Sequence, residues 1–122
     1  MKTIKIKSSL EIPVYFTGIA EYLNGDKYWY KNGLKHREDE PAVEYPNGIK
    51  IWYKEGNLHR ENGPAVTYPG GEKQWWLNNY QYTLTRFKFL IQTSIYLRKE
   101  KGKYNLDWLR FLTDQGIQEF PI

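Results

Sequence analysis

The chain has 122 residues and a net charge of +4, which suits one domain with a modest core. It contains no cysteine, which excludes disulfides and thiolate metal sites, and no apolar run long enough to predict a transmembrane helix. The charge is too small to identify an acidic partner, and it disfavours a DNA mimic, which needs strong acidity. The first residues alternate charged and apolar, unlike a signal peptide, so we expect a cytoplasmic protein.

Two strands are predicted in residues 1–17. From Lys2 to Lys7, Ile4 and Ile6 alternate with charged or polar residues, a pattern typical of a half-buried strand. Ile12 to Thr17 is predicted as a second strand, and its proline favours an edge position or a strand start.

A 23-residue repeat follows, over residues 18–82. The segment from Gly25 to Arg37 returns almost unchanged from Gly48 to Arg60, and every landmark keeps the same offset. A third copy begins at Gly71 and then diverges. A fixed period of this size predicts a repeat architecture, in which each unit buries its apolar face against its neighbours.

Each repeat carries two turn signals. The first suits a two-residue hairpin turn with positive φ: Asn32-Gly33, Glu55-Gly56 and Asn78-Asn79. The second ends in a glycine, and a three-residue loop there places Glu44 opposite Lys50 and Val43 opposite Ile51. Because this register pairs opposite charges and apolar side chains, we predict three-residue loops with glycine bulges at Gly25, Gly48 and Gly71.

The predicted register sorts the side chains onto two faces. One face is apolar and carries Val43, Tyr45, Ile49, Ile51 and Tyr53. The other carries a tryptophan opposite a histidine in each of the first two repeats, with lysines and alanines around them. These pairs are Trp29–His36 and Trp52–His59.

Residues 83–122 are predicted to form a helical cap. Thr83 or Thr85 can begin a helix that ends near Lys101, before Gly102, and its apolar stripe comprises Leu84, Phe87, Leu90, Ile91, Ile95 and Tyr96. A second, shorter helix is predicted from Asn105 to Gly116, followed by an extended tail over 117–122. The expected fold class is therefore α+β, a single domain over 1–122 with an antiparallel β-hairpin repeat sheet capped by two C-terminal helices.

The repeat resembles the MORN repeat in the order Asn-Gly, His, Gly-Pro-Ala and Tyr-Pro-Asn-Gly at this period, over about Thr17 to Tyr82. The resemblance implies an elongated meander of hairpins and a role as a protein-binding scaffold, a dimerisation module or a membrane-proximal module. The variant is also similar to phage and bacterial repeat proteins. Glu40 departs from the glycine expected before Pro41, and Tyr82-Thr83 replace His-Arg. The matching turn glycines are Gly33, Gly48, Gly56 and Gly71, and the matching aromatic positions are Trp29, Trp52 and Trp75.

His36 and His59, with acidic residues nearby, raise the possibility of general-base or metal chemistry. They occupy the same position in different repeats, about 10 Å apart, too far to share a metal. A structural role is favoured, and we expect no enzyme, no metal and no cofactor. For Arg37 and Arg60, local ion pairs that shape the Pro-Ala turn are favoured over anion binding.

The lysines beside the tryptophans form a possible anion-binding stripe: Lys27, Lys31, Lys50, Lys54 and Lys73. Basic residues interleaved with aromatics can bind single-stranded nucleic acid, and anionic lipid is a further possibility. The favoured alternative is that the lysine stems cover the tryptophan rings and pair with Glu21 and Glu44.

The preferred functional hypothesis is a non-enzymatic protein–protein interaction module, because Trp, Tyr and Arg exceed what so small a core needs. A small inhibitor or modulator of a host defence enzyme is one such protein, and a homodimer formed through an exposed edge strand is another expectation. The predicted partner-binding residues are those that do not recur: Trp75, Trp76, Tyr80, Tyr82 and Arg86.

Overall fold

A computed structural model describes residues 1–101, with side chains to Ile95. The described residues fall into two compact units that divide between Gln81 and Tyr82. A short 3₁₀ helix covers Ser9–Glu11, and one α-helix, α1, covers Leu84–Lys101. The strands are β1 Thr3–Ile6, β2 Gly18–Tyr22, β3 Lys27–Lys31, β4 Leu34–Lys35, β5 Val43–Glu44, β6 Lys50–Ile51, β7 Tyr53–Lys54, β8 Asn57–Leu58, β9 Val66–Thr67, β10 Lys73–Leu77 and β11 Tyr80–Tyr82.

The strands form a mostly antiparallel sheet in the order β1-β2-β3-β5-β6-β9-β10-β11, with β4 beside β3 and with β7 and β8 as a separate hairpin. Strand β1 runs parallel to its neighbour, β2. A hairpin-rich sheet with a helix agrees with the expected α+β class. The predicted second helix and the tail over 117–122 lie outside the described residues. Within residues 1–101, no helix has the length and apolarity needed to cross a membrane.

The three-residue loops are confirmed. Val43 pairs with Ile51 and Glu44 with Lys50, as predicted. The N–H of Gly48 donates to the carbonyl of Tyr45 at 3.0 Å, and the glycines that end the three loops have φ of +98° to +100°. Only glycine adopts this region without a steric cost, which explains the fixed glycine in each repeat.

The two-residue turns are confirmed as well, because both residues of each turn have positive φ. They also connect successive repeats. The N–H of Gly56 donates to the carbonyl of Lys35 at 2.8 Å, and the N–H of Asn79 donates to that of Leu58 at 2.9 Å. Each turn therefore rests on the hairpin before it.

The predicted strand over 12–17 is wrong. Ser8 and Glu11 form a reciprocal capping box that begins the 3₁₀ helix, and the Phe16 N–H then donates to the Pro13 carbonyl at 3.2 Å. These local bonds turn the chain, so the next strand begins only at Gly18. The Phe16 carbonyl accepts a 2.9 Å bond from Gly33, as Lys35 does from Gly56. The segment therefore covers the first repeat as a preceding repeat would.

The sheet buries residues on both faces, whereas the sequence predicted one apolar face. Val43 is 1% exposed, and its neighbour Ala42, on the opposite face, is fully buried. Ala65 and Val66 repeat this arrangement. These alanines lie on the predicted face of the tryptophan–histidine pairs, so the apolar periodicity of the other face does not reveal their burial. Near the N-terminus the core comprises Ile6, Phe16 and Ala20, with Ile4, Ile12, Tyr22, Tyr28 and Tyr30 packed against it.

Helix α1 begins as predicted, because the Thr83 hydroxyl accepts the Arg86 N–H at 3.2 Å. Its predicted apolar stripe is wrong at both ends, since Leu84 is 40% and Ile95 is 52% exposed. At about 100° per residue, both lie more than about 100° around the helix from buried Leu90. The buried side instead comprises Phe87, Leu90, Thr93 and Ser94.

The conformational role of the loop glycines predicts a contrast between two adjacent residues. A Cβ on Gly71 meets nothing within 4 Å but must adopt a φ of +100°, whereas Gly70 has no such φ. We expect Gly71→Ala to lower the free energy of unfolding by about 1–2 kcal/mol and Gly70→Ala to change it little. Urea denaturation of both variants checks this; equal effects would contradict the glycine-bulge assignment.

Candidate functional site

The two histidines connect successive repeats. His36 Nδ1 accepts a hydrogen bond from the Glu55 N–H at 2.9 Å, and His59 Nδ1 accepts one from the Asn78 N–H at 3.1 Å. Both rings are at least nine-tenths buried. Because an accepting ring nitrogen carries no proton, the neutral ring holds its proton on Nε2. This geometry supports the structural role favoured from the sequence.

The opposite ring nitrogens face acidic side chains. His36 Nε2 lies 2.8 Å from Glu38, and His59 Nε2 lies 3.1 Å from Glu61. The hydrogen bond from His36, followed by its charge, lowers the pKa of the Glu38 carboxyl below its usual value of 4.5. A carboxylate held ionised in this way is a poor general base at neutral pH. Among residues 1–101, no group of three His, Cys, Asp or Glu side chains could hold a metal.

The arginines cover the tryptophan rings. Arg37 Cζ lies 3.9 Å from the Trp29 ring centroid, and Arg60 Cζ lies 4.0 Å from that of Trp52. Each guanidinium also donates from Nη1 to the carbonyl of the following Pro41 or Pro64. The sequence suggested lysine stems in this position. Arginine occupies it because its flat guanidinium can stack on a ring while its N–H groups bond the turn.

The predicted ion pairs at the Pro-Ala turn are present for Arg37, which lies 3.0 Å from Glu40 and 3.6 Å from Glu44. Arg60 instead donates from Nε to the Asn62 side chain at 3.1 Å. The first repeat therefore neutralises its arginine with carboxylates, whereas the second gives its arginine only an uncharged hydrogen-bond acceptor.

A cleft of about 260 Å³ lies between the acidic loops of the first two repeats. Its lining residues carry charges of both signs. The lining residues are Arg37, Glu38, Asp39, Trp52, Tyr53, Lys54, His59, Arg60, Glu61 and Asn62.

The five lysines of the predicted stripe are exposed. The register brings three of them into one cross-strand row, where Lys27 and Lys50 lie opposite Glu44, and Lys50 and Lys73 lie opposite Thr67. The tryptophans between them are less accessible, because Trp29 is 8% exposed and Trp52 lies under Arg60. Stacking of nucleic-acid bases on these two rings is therefore hindered.

The predicted partner-binding residues divide between the two units. In the first, Trp75 and Trp76 are half-buried, and Trp76 Nε1 donates to Gln74 at 3.0 Å, while Tyr80 is 49% exposed. Thr83 stands where the earlier repeats have the covering arginine, eight residues after the tryptophan. Tyr82 and Arg86, in the second unit, are half-buried.

Part of the aromatic excess is used within the fold. The Tyr28 and Tyr45 hydroxyls lie 3.1 Å apart, and Lys35 Nζ lies 5.4 Å and 5.0 Å from the Tyr28 and Tyr53 rings. Burial, followed by the hydrogen bond with Tyr45, raises the pKa of Tyr28. These tyrosines therefore stabilise the sheet rather than standing free for a partner.

Sequence reasoning missed a surface that we call the N-terminal apolar surface: Leu10, Val14, Tyr15 and Leu34. These side chains are 94%, 81%, 78% and 49% exposed. The last three line a groove of about 400 Å³, together with Ser9, Ile12, Pro13, Tyr30, Asn32 and Gly33. The mistaken strand over 12–17 concealed this surface, because an alternating strand would bury every second side chain. The Ser-x-x-Glu pattern at Ser8 was the signal that could have revealed the turn.

Local hydrogen bonds hold the N-terminal apolar surface in place. The Asn32 N–H donates to the Thr17 hydroxyl and the Gly33 N–H donates to the Phe16 carbonyl, both at 2.9 Å. Tyr15 has a φ of +60°, an unfavourable conformation for a bulky residue. The fold therefore maintains an exposed aromatic ring on a strained backbone.

Compared with models of known protein families, with curated proteins and with solved structures, the chain matches none.

The hydrogen bond from the next repeat to His36 predicts that His36→Phe lowers the free energy of unfolding. The Glu55 N–H would lose its acceptor, and because this hydrogen bond is part-buried we expect a loss of about 1 kcal/mol. Glu38→Ala leaves the Nδ1 contact intact and removes only an exposed partner, so its effect should be much smaller. Chemical denaturation with circular dichroism measures both, and equal losses would contradict the assignment of the connection to Nδ1.

The lowered pKa of Glu38 predicts a pH-dependent contribution to the free energy of unfolding. Its pKa is lowered in the folded state, so its contribution is present above the unfolded value of about 4.5 and is lost as the pH falls through the folded value. We expect wild type to exceed Glu38→Gln in stability at about pH 6 and to lose this advantage below about pH 4.5. Denaturation across this range tests it, and a difference independent of pH would contradict it.

Proposed function

We propose that the chain is a MORN-like, non-enzymatic protein-binding module that docks a partner on its N-terminal apolar surface. The observation that carries the proposal is the exposure of four large apolar side chains on a segment held by hydrogen bonds. Patches of this kind mark interaction sites more often than isolated apolar residues do. The 23-residue period and its hairpins support the MORN-like assignment.

The rigid presentation of this surface favours binding. A preformed surface avoids the entropy cost of ordering a loop when the partner binds. Tyr15 also has the amphipathic ring that dominates many binding hot spots, and the groove beside it can take an apolar side chain of the partner. Backbone strain at an exposed residue is a feature of functional sites.

The charges near the groove favour an acidic partner. Lys7 and Lys31 are exposed beside the segments that form it. The acid in the same segment, Glu11, accepts the backbone N–H groups of Lys7 and Ser8 and is therefore committed to the turn. The first 35 residues contain six lysines and three acidic residues, so this part of the chain carries most of the net positive charge. The partner surface that fits combines apolar side chains with carboxylates.

An inhibitor or modulator of a host defence enzyme is the specific partner-binding role that we propose to test first, based on the resemblance to phage repeat proteins. The five predicted residues of the last repeat remain a second candidate contact surface, with Tyr80 its most exposed aromatic residue.

The decisive substitution is Tyr15→Asn. Asparagine tolerates positive φ, so this variant should keep or raise stability while it loses the aromatic contact. Cross-linking in the native host followed by mass spectrometry identifies the partner, and calorimetry with the purified partner then gives affinities. We expect Tyr15→Asn and Leu34→Asn each to weaken binding by about tenfold or more.

Leu23→Asn is the matched control, because Leu23 is 68% exposed and does not line the groove. It should bind as wild type does. Unchanged binding in Tyr15→Asn and Leu34→Asn would overturn the proposed surface, and loss of binding in Tyr80→Ser alone would place the contact on the last repeat. A wild-type dimer that Tyr15→Asn dissociates would replace the acidic partner with a second copy of the chain.

A further inference from the structure

In the first repeat, the carboxylate of Glu44 lies within ion-pair distance of one arginine and opposite two lysines in the strand register. The Glu44 carboxylate lies 3.6 Å from Arg37 Nη1, and Lys27 and Lys50 occupy the positions directly opposite it on the two neighbouring strands. Glu40 lies 3.0 Å from the same guanidinium. Two carboxylates therefore lie within ion-pair distance of Arg37.

The second repeat keeps the cations and lacks both acids. Gly63 stands at the position of Glu40, and Thr67 stands at that of Glu44. Lys50 and Lys73 lie opposite Thr67 in the same register.

Arg60 shares two contacts with Arg37. Nη1 donates to the proline carbonyl of the turn at 3.1 Å in Arg60 and at 3.2 Å in Arg37. Cζ lies 4.0 Å from the tryptophan ring centroid in Arg60 and 3.9 Å from it in Arg37. By correspondence between the repeats, we assign Nη1 of Arg60 to the side of residue 67, because Nη1 of Arg37 lies 3.6 Å from Glu44. The Thr67 side chain is shorter than glutamate and carries no charge.

The cations of the second repeat have no compensating carboxylate. Within residues 1–101, neither Arg60, Lys50 nor Lys73 forms an ion pair. The acids near Arg60 are engaged elsewhere, since Glu61 binds His59 and Glu44 binds Arg37. Partial burial lowers the pKa of the Arg60 guanidinium, as expected for a cation that is partly desolvated.

We propose that Arg60, Thr67, Lys50 and Lys73 form a binding site for a phosphate monoester, whose oxygens take the position that the Glu44 carboxylate occupies in the preceding repeat. A phosphate monoester carries a charge of about −1.5 to −2 at neutral pH and three acceptor oxygens. It matches three cations better than a single carboxylate does. Arg60 can donate from its guanidinium, the two lysines supply point charges and the Thr67 hydroxyl supplies a further donor. This site is independent of the N-terminal apolar surface.

The repeat itself supplies the test, because the two positions can be exchanged. Thr67→Glu provides an internal carboxylate and should weaken phosphate binding by about tenfold or more. A Glu40→Gly/Glu44→Thr double variant removes both internal acids from the first repeat and should create a second site of similar affinity. Backbone NMR titration with inorganic phosphate at low ionic strength measures both, since shifts at residues near 67 and near 44 report the two sites separately.

Thr67→Val is the matched control, because it removes the hydroxyl without adding a charge. It should lower the affinity by only about threefold. A Lys50→Gln/Lys73→Gln double variant should weaken binding as strongly as Thr67→Glu, which keeps the test informative where one substitution impairs folding.

Titration with a nucleoside monophosphate beside inorganic phosphate distinguishes the source of the group. If the nucleotide binds clearly more tightly than inorganic phosphate, the ligand is a nucleotide. If the two affinities are equal, the phosphate group alone determines binding. The proposal is overturned by three results: wild type without phosphate-dependent shifts near residue 67, Thr67→Glu with wild-type affinity, or acetate that binds as tightly as phosphate.

Discussion

The arrangement of the sheet depends on a hydrogen bond between a backbone N–H and a buried histidine ring. A hairpin turn with positive φ exposes N–H groups that its own strands do not use. In this chain the preceding repeat supplies the acceptor, through His36 for Glu55 and through His59 for Asn78. A backbone donor left without a partner would be costly, so the histidine and the next turn must occur together. The 23-residue period follows from this requirement.

The ends of the array show the same constraint. At the N-terminal end, the segment after the 3₁₀ helix supplies the Phe16 carbonyl and the Thr17 hydroxyl to the first turn. At the other end, the third repeat has Tyr82 in the histidine position, and no further hairpin follows before α1. Repeat arrays need end segments that differ from the internal units, because the end units lack a neighbour on one side. The exposed groove lies in one such end segment.

The parts of the fold that could be predicted are those governed by backbone geometry. Gly48 and the charges of Glu44 and Lys50 were enough to select the loop length, because one residue more or less would have placed unlike side chains opposite each other. The segment before Gly18 could not be assigned in this way. The spacing of its apolar residues is typical of a strand. Its path is instead determined by the capping box at Ser8 and the turn at Tyr15, and the hydrogen bonds of these features cannot be read from periodicity. The candidate site was therefore hidden in the one segment whose structure was misassigned.

Side-chain placement explains the remaining difference between expectation and structure. The sequence identified the facing Trp–His pairs, but it did not show that Arg37 and Arg60 fold back over the tryptophan rings. Once this cover is known, substitutions between repeats acquire a physical meaning. Thr67 in place of glutamate removes an acid from a preserved set of cations, and Thr83 in place of arginine removes the cover expected over Trp75. Recurring residues maintain the stack of hairpins, so a substitution that leaves the stack intact changes only what its surface can bind.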